Sequence, residues 1–143
     1  MRYIQTSNTP TTANRHISEG FSGGIIAGIT HAVDISHDIS VARGWWANSK
    51  GEPQDRNVGE MFALMHSEIS EALEAARKDT PSTHIPGFTG VEEELADLLV
   101  RVFDFAGGAG LRLSEAFKAK CLFNLNRPDH SAEVRNAPGG KSF

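Results

Sequence analysis

Cysteine is nearly absent: Cys121 stands alone among 143 residues, so no internal disulfide can form and a reducing compartment is expected. It lies among apolar residues of an expected helix and is taken as a core thiol, not a reactive one. Runs of basic residues are missing too. With a net charge of −4, the chain is not expected to bind a nucleic-acid polymer. A small anionic substrate stays open, because a bound metal would reverse the local field. No apolar stretch approaches membrane-spanning length, and the opening residues, MRYIQTSNTPTTANR, are polar throughout. Neither a membrane span nor a signal peptide is expected, and the location inferred is cytoplasmic. There is no obvious internal repeat and no alternating pattern long enough for a strand.

What remains is helical periodicity. After a Thr-, Ser-, Asn- and Gly-rich arm over residues 1–24, Ile25, Ile29, Ala32, Ile35 and Ile39 recur at helical spacing, with Gly44 as the stop. A second helix is predicted from Val58 to Lys78, with Asn57 as N-cap and Arg77 and Lys78 at the end favoured by the dipole. Its apolar side holds Met61, Phe62, Leu64, Met65, Ile69, Ala72, Leu73 and Ala76. A loop rich in Pro and Gly follows, and a third helix begins near Val91 with three glutamates in its first turn. Val91, Leu95, Leu98, Leu99, Val102 and Phe105 are expected to face the core, and Gly107-Gly108 to break the helix. Ser114 is expected to cap a fourth helix running to about Asn126, which Pro128 ends; residues 129–143 form a polar tail. The class is all-α, a bundle of four to five helices.

Two acidic pairs stand out against this apolar background. Glu68 and Glu71 lie three apart on the second helix, and Glu94 and Asp97 three apart on the third. That spacing puts each pair on nearly one side of its helix, with Cβ atoms about 5–6 Å apart. Glu68 falls inside the apolar stripe, where a glutamate is rarely buried unless paired or metal-bound. Four carboxylates brought together repel, each close pair by about 4 kcal/mol at an effective dielectric of about 20. A hard divalent cation relieves that cost, and oxygen ligands of this kind suit Mg²⁺, with Mn²⁺ as a substitute. The bland alternative makes Glu94, Asp97 and Arg101 a solvated charged face. Glu74, Glu92 and Glu93 point elsewhere and are expected at the surface.

On the fourth helix Lys120, Asn124 and Arg127 share one face. Two cations and an amide so placed suit the oxygens of a di- or triphosphate; otherwise they form a solvated basic helix end. Trp45 and Trp46 follow the first helix. One indole is a candidate to stack on a planar ligand, with His31, Asp38 or Asn48 supplying edge hydrogen bonds. The alternative is one tryptophan in the core and the other at an interface.

Glu68-x-x-Glu71, a spacer, Glu94-x-x-Asp97, and then Lys120, Asn124, Arg127 and Pro128 together resemble the MazG-like superfamily of all-α nucleoside triphosphate pyrophosphohydrolases. The likeness spans residues 25–128 and is nearest to the small single-domain members of bacteria and phages; for a virus-encoded chain the cytoplasm would be the host's. It implies cleavage of a (deoxy)nucleoside triphosphate between its α and β phosphates. Glu68, Glu71, Glu94 and Asp97 would be the catalytic metal ligands, Lys120, Asn124 and Arg127 the phosphate contacts, and Trp45, Trp46 and His31 the base contacts. Many relatives carry another glutamate just before the first motif residue, proposed as general base, and here that position is Ser67. Either Glu68 takes the proton or metal-bound hydroxide suffices. Relatives often follow Arg-Pro closely with His-Gly-Gly-Lys, whereas here Gly139-Gly140-Lys141 comes after a longer insert; Lys141 is a lid contact or part of a loose tail.

Two other functions are compatible with parts of the sequence. His37-Asp38 is the dipeptide of HD-type metal phosphohydrolases, yet His16 and His31 are poorly placed to complete that set. A non-catalytic helical interaction module predicts no metal dependence. Short helices with wide apolar stripes point to at least a dimer, and the resemblance favours a homotetramer, with the cleft near a subunit interface.

Overall fold

A computed structural model describes residues 24–125, 127 and 137–138. The expected arm before residue 24 lies outside the described residues, as do Pro128 and, apart from 137–138, the expected tail with Lys141. Among the described residues the chain is all-α, with four helices and no strand: α1 (Gly24–Ala42), α2 (Val58–Lys78), α3 (Gly90–Gly108) and α4 (Leu113–Leu125). The third helix is central. It packs against α2 on one side and α1 on the other, while α4 rests on α1. None of the described helices is long and apolar enough to cross a membrane.

Local chemistry accounts for most helix ends. Gly44, with φ +82°, takes the left-handed position after α1. Its N–H reaches Val41 O and the Trp45 N–H reaches Ser40 O, a paired closure that satisfies two terminal carbonyls. Asn57 caps α2 by accepting from the Glu60 N–H. A capping box opens α3: Thr89 accepts from the Glu92 N–H while the Glu92 carboxylate takes the Thr89 N–H. Ser114 does not cap α4. It sits buried inside the helix, accepting from Thr30 Oγ1 and donating to the Glu115 carboxylate, which ties α4 to α1.

Three expectations are corrected. Gly107 and Gly108 do not break α3; they are its last residues and serve close approach. A Cβ on Gly107 would stand 2.6 Å from His37 Cβ, and one on Gly108 only 2.1 Å from the Trp46 ring. Nor does α1 bury its isoleucine stripe. Ser36 and Ser40 face inward, because short side chains let α1 lie close on α3, while Ile35 and Ile39 stay exposed. Finally, Leu95 and Leu99 on α3 and Phe62, Ile69 and Leu73 on α2 are open to solvent. The buried apolar set is small: Met61, Met65, Ala72, Ala75 and Ala106. The apolar stripes are wider than two-helix contacts can cover, so much of their surface stays bare within one chain. Cys121 is half-buried.

Candidate metal centre

Where α2 crosses α3, Glu68 is carried inward beside Met65 and Ala72 and is only 4% exposed. Glu94 and Asp97, one turn apart on α3, face it. One carboxylate oxygen from each of Glu68, Glu94 and Asp97 lies within 4.8 Å of the others. Glu71, the fourth acid of the sequence pattern, is exposed and stands outside this group, but its charge bears on Glu94. The structure thus brings together three of the four acids.

Two of the three are electrostatically strained, Glu94 and Asp97. Partial burial, then the charge of Glu71 and a hydrogen bond with Glu68, hold the Glu94 carboxyl above its ordinary value. Burial and the charge of Glu68 raise Asp97 in the same sense, against the opposing pull of Arg101. One cation does enter: Arg101 Nε donates to Glu68 Oε1 at 2.5 Å. The charged-face alternative therefore holds for Arg101 only in part, since its guanidinium turns to a buried carboxylate. All-oxygen donors from two helices, with repulsion left over, fit a hard divalent ion.

Beside the acids lies a cleft of about 440 Å³, and Asp97 and Arg101 belong to its wall. Trp45, 64% exposed, also lines it, with Ser40, Met61, Leu64, Arg56 and Asp104. Arg56 is held by the Trp45 carbonyl and by Glu60. Trp46 is turned inward: its Nε1 donates to Asp104 Oδ1 at 2.8 Å, and its ring meets His37 edge-on at 5.0 Å. His31 is exposed on α1 and lines no part of the cleft. Asn48 organises its own loop, its Oδ1 accepting from the Lys50 and Glu52 N–H groups. Lys120 and Arg127 both approach the Phe123 ring, with Lys120 Nζ 4.8 Å and Arg127 Cζ 5.8 Å from its centre, and Asn124 follows Phe123 on α4. None of the three lines the cleft. Ser67 donates to Leu64 O within its own helix, and being a hydroxyl it supplies no carboxylate base.

Two further acids are buried. Glu93 is buried, not at the surface: it accepts from the Thr83 N–H at 3.0 Å and from His84 Nδ1 at 2.5 Å, pinning the loop before α3. The Thr83 backbone bond, ahead of smaller contributions, holds its carboxyl below the ordinary value. Asp104 is also buried and takes both His37 Nδ1, at 2.9 Å, and Trp46. An acid between Phe103 and Phe105 carried the same signal as Glu68. His37 is thereby committed to Asp104, and neither it nor Asp38 belongs to a three-ligand group among the described residues. Comparison with family models, curated proteins and solved structures returned no match.

Proposed function

We propose that this chain is a Mg²⁺-dependent nucleoside triphosphate pyrophosphohydrolase of the MazG-like type, releasing pyrophosphate by α–β cleavage for adjustment or sanitation of a dNTP pool. The observation that carries the proposal is the convergence of Glu68, Glu94 and Asp97 beside a cleft large enough for a small ligand. Glu68, Glu94 and Asp97 would hold the ion, and Glu71 extends the acidic set from its margin. A bound Mg²⁺ would supply neutralisation of phosphate charge and a lowered pKa for the attacking water, so that it gives up its proton more readily. The chain's residues do the rest. Trp45 seats the base in the cleft, Met61 and Leu64 exclude water from beneath it, and Arg101 has a guanidinium at the boundary between cleft and acids. Glu68, buried and facing the other two acids, is the residue best placed to take a proton from the attacking water.

Lys120, Asn124 and Arg127 do not line the cleft within one chain and would act in the cleft of a neighbouring copy. Support comes from the bare apolar side chains of α1, α2 and α3, which a homodimer or homotetramer would cover. Light scattering should give a mass at least twice that of the chain. Mixing Glu68→Gln with Lys120→Ala protomers should restore activity that neither variant has alone. No restoration would take Lys120 out of the neighbour's cleft.

The decisive assay is pyrophosphate release from canonical and modified dNTPs with Mg²⁺. Glu68→Gln should abolish it while leaving the helical signal intact; a variant with half the original turnover removes Glu68 from the site.

A further inference from the structure

We propose that Asp104 is a specificity-determining residue whose Oδ2 accepts a hydrogen bond from the exocyclic amino group of a nucleobase seated against Trp45. The cleft then takes amino-bearing bases in preference to their oxo counterparts. This rests on the reading of the cleft as a nucleotide site. Asp104 Oδ1 already accepts from two N–H groups, His37 Nδ1 at 2.9 Å and Trp46 Nε1 at 2.8 Å. A carboxylate only accepts, so the His37 proton sits on Nδ1. Among the described residues nothing donates to Oδ2, and no buried side-chain polar atom there lacks a partner. Oδ2 is therefore not sealed from solvent, and Asp104 lines the cleft.

Neither neighbouring cation is given to Asp104. Arg101 goes to Glu68, and Arg56 to the Trp45 carbonyl and Glu60. The acceptor is also rigidly held. Trp46 is set edge-on to His37 and lies where any side chain on Gly108 would collide with it. Such a fixed carboxylate suits the N4 amino group of cytosine. It repels the O4 of uracil, and the uracil N3–H lies between two carbonyl oxygens that a carboxylate also repels. Asp97, common to the acids and the cleft wall, makes the two continuous.

The test is calorimetric binding of dCMP and dUMP with Mg²⁺, alongside pyrophosphate release from dCTP and dUTP. The wild-type chain should bind dCMP more than about tenfold more tightly than dUMP. In Asp104→Asn the amide oxygen keeps His37 and Trp46 while the amide nitrogen becomes a donor, so the preference should fall or reverse. Equal binding, a preference for dUMP, or an unchanged preference in Asp104→Asn would overturn the assignment. Preferential dCMP binding that reverses in the variant, without pyrophosphate from any nucleotide, would uphold Asp104 and sink the hydrolase reading. Binding of neither monophosphate would overturn both.

Discussion

Glu93 and Glu94 are neighbours in the first turns of α3, yet their carboxyls are displaced from the ordinary value in opposite directions. Glu93 is the more buried of the two but faces donors, the Thr83 N–H and His84, and its carboxyl is held low. Glu94 is less buried but faces other acids, and its carboxyl is pushed up. Burial alone does not decide the behaviour of a carboxylate; the groups that meet it do. One side of α3 anchors a loop with a satisfied charge. The other holds unsatisfied charge next to a cleft, which is the arrangement expected of a site and not of a scaffold.

The largest effect should separate the two neighbours by activity. Glu94→Gln should lower Mg²⁺-dependent pyrophosphate release by more than about a hundredfold, since losing an outer contact to a metal site already costs 10–100-fold. It should also remove the rise in melting temperature that Mg²⁺ with a nonhydrolysable nucleotide produces. Glu93→Gln should keep that rise and lower the baseline melting temperature instead. If both variants lose the metal response alike, the contrast drawn between the two sides collapses.

The pH dependence sharpens the same contrast. Glu94 and Asp97 are raised in the folded chain, so their stabilising contribution is present below the ordinary carboxylate range and is lost as pH rises through their folded values. Glu93 is depressed, so its contribution is present above that range and is lost as pH falls through its folded value. In EDTA the melting temperature should fall on the neutral side of the carboxylate range, and added Mg²⁺ should flatten that fall. Glu94→Gln should shrink it without metal. An equal slope in variant and wild type would show that the acids do not face one another in solution.

Gly108→Ala probes the cleft end of α3. A methyl group 2.1 Å from the Trp46 ring must displace that ring, costing roughly 1–3 kcal/mol by denaturant unfolding and disturbing Asp104 with it. Thr89→Ala acts at the opposite end, where the capping box opens the helix. It should cost about 1 kcal/mol and leave the Mg²⁺ response unchanged.

Much of this was legible in the residues. Helical spacing places α2 and α3 within a residue or two, Asn57 and Gly44 mark helix ends, and the wheel position of Glu68 is that of a buried side chain. Thr89 and Glu92 carry a capping signal in the sequence as well, and the acid between Phe103 and Phe105 meets the same test as Glu68. Other features had no local signal. The burial of Glu93 depends on Thr83 and His84 folding back across it, and the inward face of α1 is set by how close Ser36, Ser40 and Gly107 let it come.

By itself, the order of residues determined the helices and the acids each one carries, because periodicity and caps act over a turn or two. Only the tertiary structure decided that Glu68, Glu94 and Asp97 meet while Glu71 stays aside, that Trp46 is tied to Asp104 while Trp45 lines the cleft, and that the apolar stripes stay partly bare. Those outcomes depend on the approach distance and rotation of one helix against another, which small side chains far apart in the chain control jointly.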